Sequence, residues 1–138
     1  MLELAHPSAL LLLPPLPPPA LALDRPDPAL LDWDGLWLRP DQQASRLLEQ
    51  GESEAAAERF ENPGWRATAN YHAGDYAAAA EGFAGEDADS RYNQGNALAR
   101  AGRLQEALAA YDEALAGQPA HEDARFNREL VEKLLQSQ

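Results

Sequence analysis

Asp89-Ser90-Arg91-Tyr92-Asn93-Gln94 recurs further along the chain as Asp123-Ala124-Arg125-Phe126-Asn127-Arg128. Both stretches have the form Asp-x-Arg-aromatic-Asn-x. Self-similarity at a fixed period of about 20 to 50 residues is typical of arrays built from one small structural unit that is stacked on copies of itself. The pattern therefore predicts a repeat protein.

The residues between the two copies complete one unit of the repeat. A helix is predicted over 89–100, a turn at Gly102, and a second helix over 104–116 whose apolar residues recur at helical spacing. A glycine after a helix suits the left-handed conformation that ends many helices. This unit resembles the tetratricopeptide repeat (TPR), in which small residues allow two helices to cross closely. The matching positions are the small Gly95, Ala107 and Ala114, the large Leu98, Leu104 and Tyr111, and the closing Pro119.

Two shorter copies of the unit lie upstream. One hairpin is predicted over 63–84, with its turn at Gly74, and another over 41–60, with its turn at Gly51. Phe83 and Phe60 each follow their turn glycine by nine residues, as Tyr111 follows Gly102. This shared spacing indicates degenerate repeats rather than unrelated helices.

The last predicted helix, over 121–136, is half a repeat. Its position equivalent to Gly95 is Glu129, which suits a helix with no partner packed after it. Such a helix caps the end of an array. The predicted fold is therefore all-α: a right-handed superhelical TPR array of two short degenerate repeats, one full repeat with the TPR period of about 34 residues, and a C-terminal capping helix. This gives seven helices in a domain over 41–138.

Residues 1–40 have a different composition, since nine of the eleven prolines lie there. The apolar run 9–22 is too short and too rich in proline to span a membrane as one helix. Two interpretations stay open: an export or membrane-anchor segment, and a disordered stretch of polyproline-II conformation. The neighbouring Trp33 and Trp37 are expected to cover the open end of the first hairpin or, alternatively, to lie at a membrane surface.

Composition restricts the function. The chain has no cysteine and a formal net charge of −12, so it lacks thiolate metal sites and the basic stripe that nucleic acids need. It contains no phosphate-binding loop and no hydrolase or zinc-protease motif. His6, His72 and His121 are isolated from one another, and Asp89 is interpreted as a helix cap rather than a calcium ligand. We expect no catalytic site, no cofactor and no metal.

The remaining expectation is a protein-binding surface. In TPR arrays the first helix of each unit lines the concave side, and this resemblance implies exposed positions at Tyr92, Asn96, Ala99 and Arg100, with Asn93 beside them. Tyr71 and His72 lie in the equivalent stretch of the preceding unit. The residues predicted to bind a partner are Tyr92, Asn93, Asn96, Arg100 and Tyr71. Leu47 and Leu48 occupy the equivalent stretch of the first unit. Asparagine amides can hydrogen-bond an extended peptide backbone. A structural or self-association element without a peptide groove in use is the alternative, and a homo-oligomer stays open.

A closer resemblance covers about residues 31–138. The matching stretches are similar to the C-terminal region of the bacterial Bat-type (aerotolerance) membrane proteins, which carry a von Willebrand A domain before their TPR region; this sequence holds neither that domain nor its metal motif. The resemblance implies an adaptor at the bacterial inner membrane or in the periplasm, with a cytoplasmic location as the alternative. The stretches are Trp33-Asp34-Gly35-Leu36-Trp37-Leu38-Arg39-Pro40-Asp41-Gln42-Gln43, Asn62-Pro63-Gly64-Trp65, Ala73-Gly74-Asp75-Tyr76, Tyr92-Asn93-Gln94-Gly95-Asn96-Ala97-Leu98-Ala99 and Phe126-Asn127-Arg128-Glu129-Leu130-Val131-Glu132.

Overall fold

A computed structural model describes residues 13–18 and 39–138 of the chain. The expectations for Trp33 and Trp37 lie outside these described residues, as do those for the rest of the N-terminal segment apart from residues 13–18.

The described residues form seven helices and no strand, which confirms the predicted all-α class and the number of helices. Each helix packs against the next one along the chain, and α5 also contacts α7. The helices are α1 (Pro40–Glu49), α2 (Ser53–Arg59), α3 (Pro63–Ala73), α4 (Tyr76–Gly82), α5 (Ala88–Arg100), α6 (Leu104–Gly117) and α7 (Glu122–Gln136).

The turns inside the three hairpins share one geometry. Gly51, Gly74 and Gly102 have φ angles of 81°, 87° and 80°, the left-handed region that side chains disfavour. In each turn the residue after the glycine donates its N–H to the carbonyl five residues earlier, at 2.8 to 2.9 Å. These bonds satisfy carbonyls that the end of a helix leaves unpaired. The turns therefore have the same structure although the hairpins differ in length.

Side-chain caps fix where the following helices begin. Asn62 accepts the N–H of Trp65 at 3.0 Å, and Asp87 accepts the N–H of Ser90 at 3.0 Å. The interpretation of Asp89 as the cap of α5 was wrong, because Asp89 lies inside the helix and Asp87 occupies the cap position. His121 caps α7 with its Nδ1 atom, and its ring is buried 4.8 Å from the ring of Tyr92.

The core is built from alanines with a few aromatic rings between them. Phe60, Phe83 and Tyr111, each nine residues after a turn glycine, are all buried. Tyr111 lies against Gly95 so closely that a β-carbon added there would lie 2.6 Å from its Cε1 atom. α4 and α3 also approach closely at Gly82, where an added β-carbon would lie 2.7 Å from Ala67 Cβ. Glycine at position 95 therefore sets how near α5 comes to α6.

Candidate functional site: a groove that holds an extended segment

Residues 13–18 lie against α5 and α7, far from these helices in sequence. The segment reads Leu-Pro-Pro-Leu-Pro-Pro and forms neither helix nor strand. Each proline ring fixes φ at about −65° and restrains the residue before it to extended conformations. The sequence of the segment therefore favours a polyproline-II path, which leaves its backbone polar groups free to bond a neighbouring surface.

Asn93 of α5 holds one residue of this segment by both of its backbone groups. The N–H of Leu16 donates to Asn93 Oδ1 at 2.7 Å, and Asn93 Nδ2 donates to the carbonyl oxygen of Leu16 at 2.7 Å. A primary amide carries an acceptor and a donor side by side, so it can pair with a peptide unit as a neighbouring strand would. The side chain of Leu16 is half-buried against the core.

Leu13 is held in a similar way by two asparagines. Its N–H donates to Asn127 Oδ1 at 3.2 Å, and its carbonyl oxygen accepts a long bond of 3.4 Å from Asn96 Nδ2. The hydroxyl of Tyr92 donates to the carbonyl of Pro14 at 3.2 Å. Backbone groups of three of the six residues, Leu13, Pro14 and Leu16, are therefore bonded to α5 and α7.

A buried network fixes the orientation of these amides. Tyr111 donates its hydroxyl to Asn96 Oδ1 at 2.6 Å, and Asn127 Nδ2 donates to the same oxygen at 2.8 Å. Asn127 Nδ2 also lies 3.4 Å from the Tyr92 hydroxyl. Because Asn96 and Asn127 are fully buried, each bond in this network is protected from water. The network links the groove to the crossing of α5 and α6.

The segment crosses the helices in an order opposite to that of the chain. Leu13 lies at α7, Leu16 at α5, and Pro18 near the beginning of α3, where a β-carbon added to Gly64 would lie 3.3 Å from Pro18 Cβ. We call this surface, formed by Tyr92, Asn93, Asn96 and Asn127 with the end at Gly64, the amide groove.

The predicted partner-binding residues divide into two groups. Tyr92, Asn93 and Asn96 all contact residues 13–18. Arg100 and Tyr71 lie beside each other, and no hydrogen bond joins either of them to residues 13–18 in the described structure. Burial of Tyr92, Asn96 and Ala99 contradicts the expectation that these positions are exposed, since the first two take part in the buried network and Ala99 belongs to the core.

Asn127 was missed as a site residue. It belongs to the repeated sequence pattern and follows Asn93 by 34 residues. It accepts the N–H of Leu13 as Asn93 accepts the N–H of Leu16, while the carbonyl of Leu13 is bonded by Asn96 instead. Applying the repeat period to the binding residues, and not only to the helices, would have identified it.

Burial favours the protonated form of two tyrosine hydroxyls, that of Tyr92 in the groove and that of Tyr111 in the buried network behind it. It raises the pKa of Tyr92 and of Tyr111 above the ordinary value of 10.0, because ionisation would place a charge among apolar atoms. A pKa that is higher in the folded than in the unfolded chain adds stability that is fully present below pH 10 and is lost as the pH rises through the folded value.

We therefore expect the melting temperature to be nearly constant from pH 7 to 9 and to fall above pH 10. Circular dichroism melts at pH steps would measure it. In the Tyr111→Phe variant, which has no hydroxyl to ionise at that position, the alkaline fall should be shallower. An equal fall in both proteins would show that Tyr111 does not cause it.

The described helices give two further findings about this part of the chain. None of them is long and apolar enough to cross a membrane. Within residues 13–18 and 39–138, no three acidic or histidine side chains gather in a way that could hold a metal ion.

Comparisons of the chain with protein-family profiles, with curated proteins and with solved structures find no match.

Proposed function

We propose that this protein is a TPR-type adaptor without enzymatic activity, which binds an extended peptide of a partner protein in the amide groove. The observation that carries the proposal is the pairing of Asn93 with both backbone groups of Leu16, each at 2.7 Å. The sequence period that relates Asp89 to Asp123, the three equivalent glycine turns and the close crossing at Gly95 support an array of the TPR kind.

The chemistry of the groove suits binding better than catalysis. Its polar groups are three amides and one phenol, that of Tyr92, and burial raises the pKa of this phenol so that it stays neutral. Such groups hydrogen-bond a backbone without activating it, since none is a charged acid, base or nucleophile at neutral pH. Recognition of an extended chain by backbone bonds, with pockets for some side chains, is a common way to bind peptides.

The proposed setting comes from the sequence resemblance alone. The Bat-type pattern supports a partner within a bacterial cell-envelope complex, at the inner membrane or in the periplasm. The alternative, a self-association element, is favoured by one observation: the occupant of the groove is part of the same chain.

Amide hydrogen exchange of the full chain, followed by NMR, tests whether the groove binds a peptide backbone. The N–H groups of Leu13 and Leu16 should both be protected in the wild-type protein. Asn93→Ala removes two hydrogen bonds, worth about 2 kcal/mol together, so the protection of Leu16 should fall about 30-fold.

The control is Gln105→Ala, which removes an amide from the exposed surface of α6 and should leave both N–H groups protected. If Leu13 and Leu16 in the wild-type protein exchange as fast as free peptide, the groove does not hold a backbone and the proposed function is wrong.

A further inference from the structure

We propose that residues 13–18 are a built-in competing ligand of the amide groove, and that the partner segment they exclude is an uncharged, proline-rich peptide with a backbone N–H at every third residue. This inference rests on the proposed function and adds the class of ligand and the way in which access to the groove is controlled.

The hydrogen-bonding pattern of the segment supports this ligand class. Of the six residues 13–18, four are prolines and have no N–H. The two N–H groups that exist, on Leu13 and Leu16, both donate to asparagine oxygens of the groove. Prolines are therefore accepted between these two positions, while positions 13 and 16 themselves need an N–H.

The spacing of the groove matches the spacing of such a peptide. A polyproline-II helix has three residues per turn and rises about 3.1 Å per residue, so Leu13 and Leu16 are one turn, about 9 Å, apart on the same side. Asn93 on α5 and Asn127 on α7 accept the N–H groups of Leu16 and Leu13, so the two asparagines bind successive turns of the peptide.

The sequence extends this match by one further turn. Counted from the turn glycine, the position of α3 that corresponds to Asn93 is Trp65, nine residues before Gly74. An indole has no acceptor for an N–H. The residue three places after Leu16 is Pro19, which has no N–H to donate. The third position of the sequence pattern thus has neither an N–H donor at Pro19 nor an acceptor at Trp65.

Partner chemistry follows from the charges of the site. Residues 13–18 carry no charge, and the groups that bond them are neutral amides and a phenol. The chain as a whole has a net charge of −12, so an acidic peptide would be repelled while an uncharged one would not. Leucine at the half-buried position 16 adds apolar contact with the core.

Competition follows from covalent connection. Residues 19–38 join the segment to α1, so one copy is always present beside each groove. A short connection of this kind gives an effective concentration of about 1 mM, and a free peptide of equal intrinsic affinity must exceed it to bind. Weakening the hydrogen bonds between the built-in segment and the groove should therefore increase the apparent affinity of the groove for a free peptide.

The test uses the full chain and a fluorescent peptide that spans residues 9–22, with two lysines added for solubility. Leu16→Pro removes the N–H that Asn93 accepts while it preserves the extended path. Leu16→Val keeps that N–H and is the matched control. We expect the Leu16→Pro protein to bind the peptide about tenfold or more tightly than the wild type by fluorescence anisotropy, and the Leu16→Val protein to resemble the wild type.

Three outcomes would overturn the inference, and they separate it from the proposed function. Equal peptide affinity of the wild-type and Leu16→Pro proteins, with Leu16 protected in the wild type, means that the groove binds a backbone but residues 13–18 do not compete. A melting temperature lowered by Leu16→Pro without gain of peptide binding means that the segment is a fixed part of the fold. A wild-type dimer in sedimentation that Leu16→Pro converts to a monomer means that the segment occupies the groove of a second copy.

Discussion

Gly95→Leu is expected to lower the melting temperature by about 8 °C or more. A β-carbon at position 95 would lie 2.6 to 3.0 Å from three ring atoms of Tyr111, and leucine adds three further carbons. Overpacking of this kind costs about 3 kcal/mol where the neighbours cannot move. Tyr111 cannot move freely because it is fully buried and its hydroxyl is bonded to Asn96. In a domain of about 100 residues each kcal/mol corresponds to about 4 to 8 °C.

Helix propensity acts in the opposite direction and is too small to compensate. Replacing glycine inside a helix by a residue with a side chain gains at most about 1 kcal/mol. Gly117→Ala in α6 is the matched control, because its added β-carbon meets only Ala88 Cβ at 3.7 Å, an ordinary contact. The control should melt at or above the wild-type temperature. Thermal melts by circular dichroism measure both variants, and an unchanged melt for Gly95→Leu would contradict the close helix crossing.

Asn96→Ala is expected to destabilise the protein by about 2 to 5 kcal/mol and to weaken the amide groove, because a buried polar group that loses its partner costs about 1 to 3 kcal/mol. The change leaves the Tyr111 hydroxyl and Asn127 Nδ2 without the acceptor that they share. Chemical denaturation measures the loss, and exchange of the Leu13 N–H measures the effect on the groove.

Asn93→Ala is the comparison for this prediction, because it removes an amide three residues earlier on the same helix. Its bonds go to Leu16 rather than to the core, so its unfolding free energy should fall by no more than the about 2 kcal/mol that these two bonds contribute, and by less than in Asn96→Ala, while Leu16 loses protection. An equal loss of unfolding free energy in both variants would show that the buried amide of Asn96 stabilises the fold no more than the amide of Asn93 does.

The helices could be predicted because their signals are local. The turn glycines, the nine-residue spacing to Phe60, Phe83 and Tyr111, and the small residue at position 95 each fix a short stretch of backbone or one crossing. The cap of α5 was misplaced by two residues because Asp87 and Asp89 are chemically equivalent candidates, and only the backbone shows which one precedes the helix.

The groove could be predicted only in part. Tyr92, Asn93 and Asn96 were predicted as binding residues from the resemblance of their helix to the first helix of a TPR unit. Their burial and the occupant of the groove did not, since the bonds to Leu13 and Leu16 join residues 77 to 114 positions apart. Nothing in a proline-rich stretch specifies which distant surface will accept its backbone, so the two interpretations of the tail could not anticipate this contact.

The reversed path of the segment also affects the ends of the molecule. A stacked array normally frays from its last unit, which has only one neighbour to hold it. Here Leu13, from the opposite end of the sequence, is bonded to Asn127 on the final helix, and the same short segment continues over α5 toward α3. Residues 13–18 thus connect the last helix to α5 and to the beginning of α3, so a change that empties the groove is expected to loosen the C-terminal end of the protein as well.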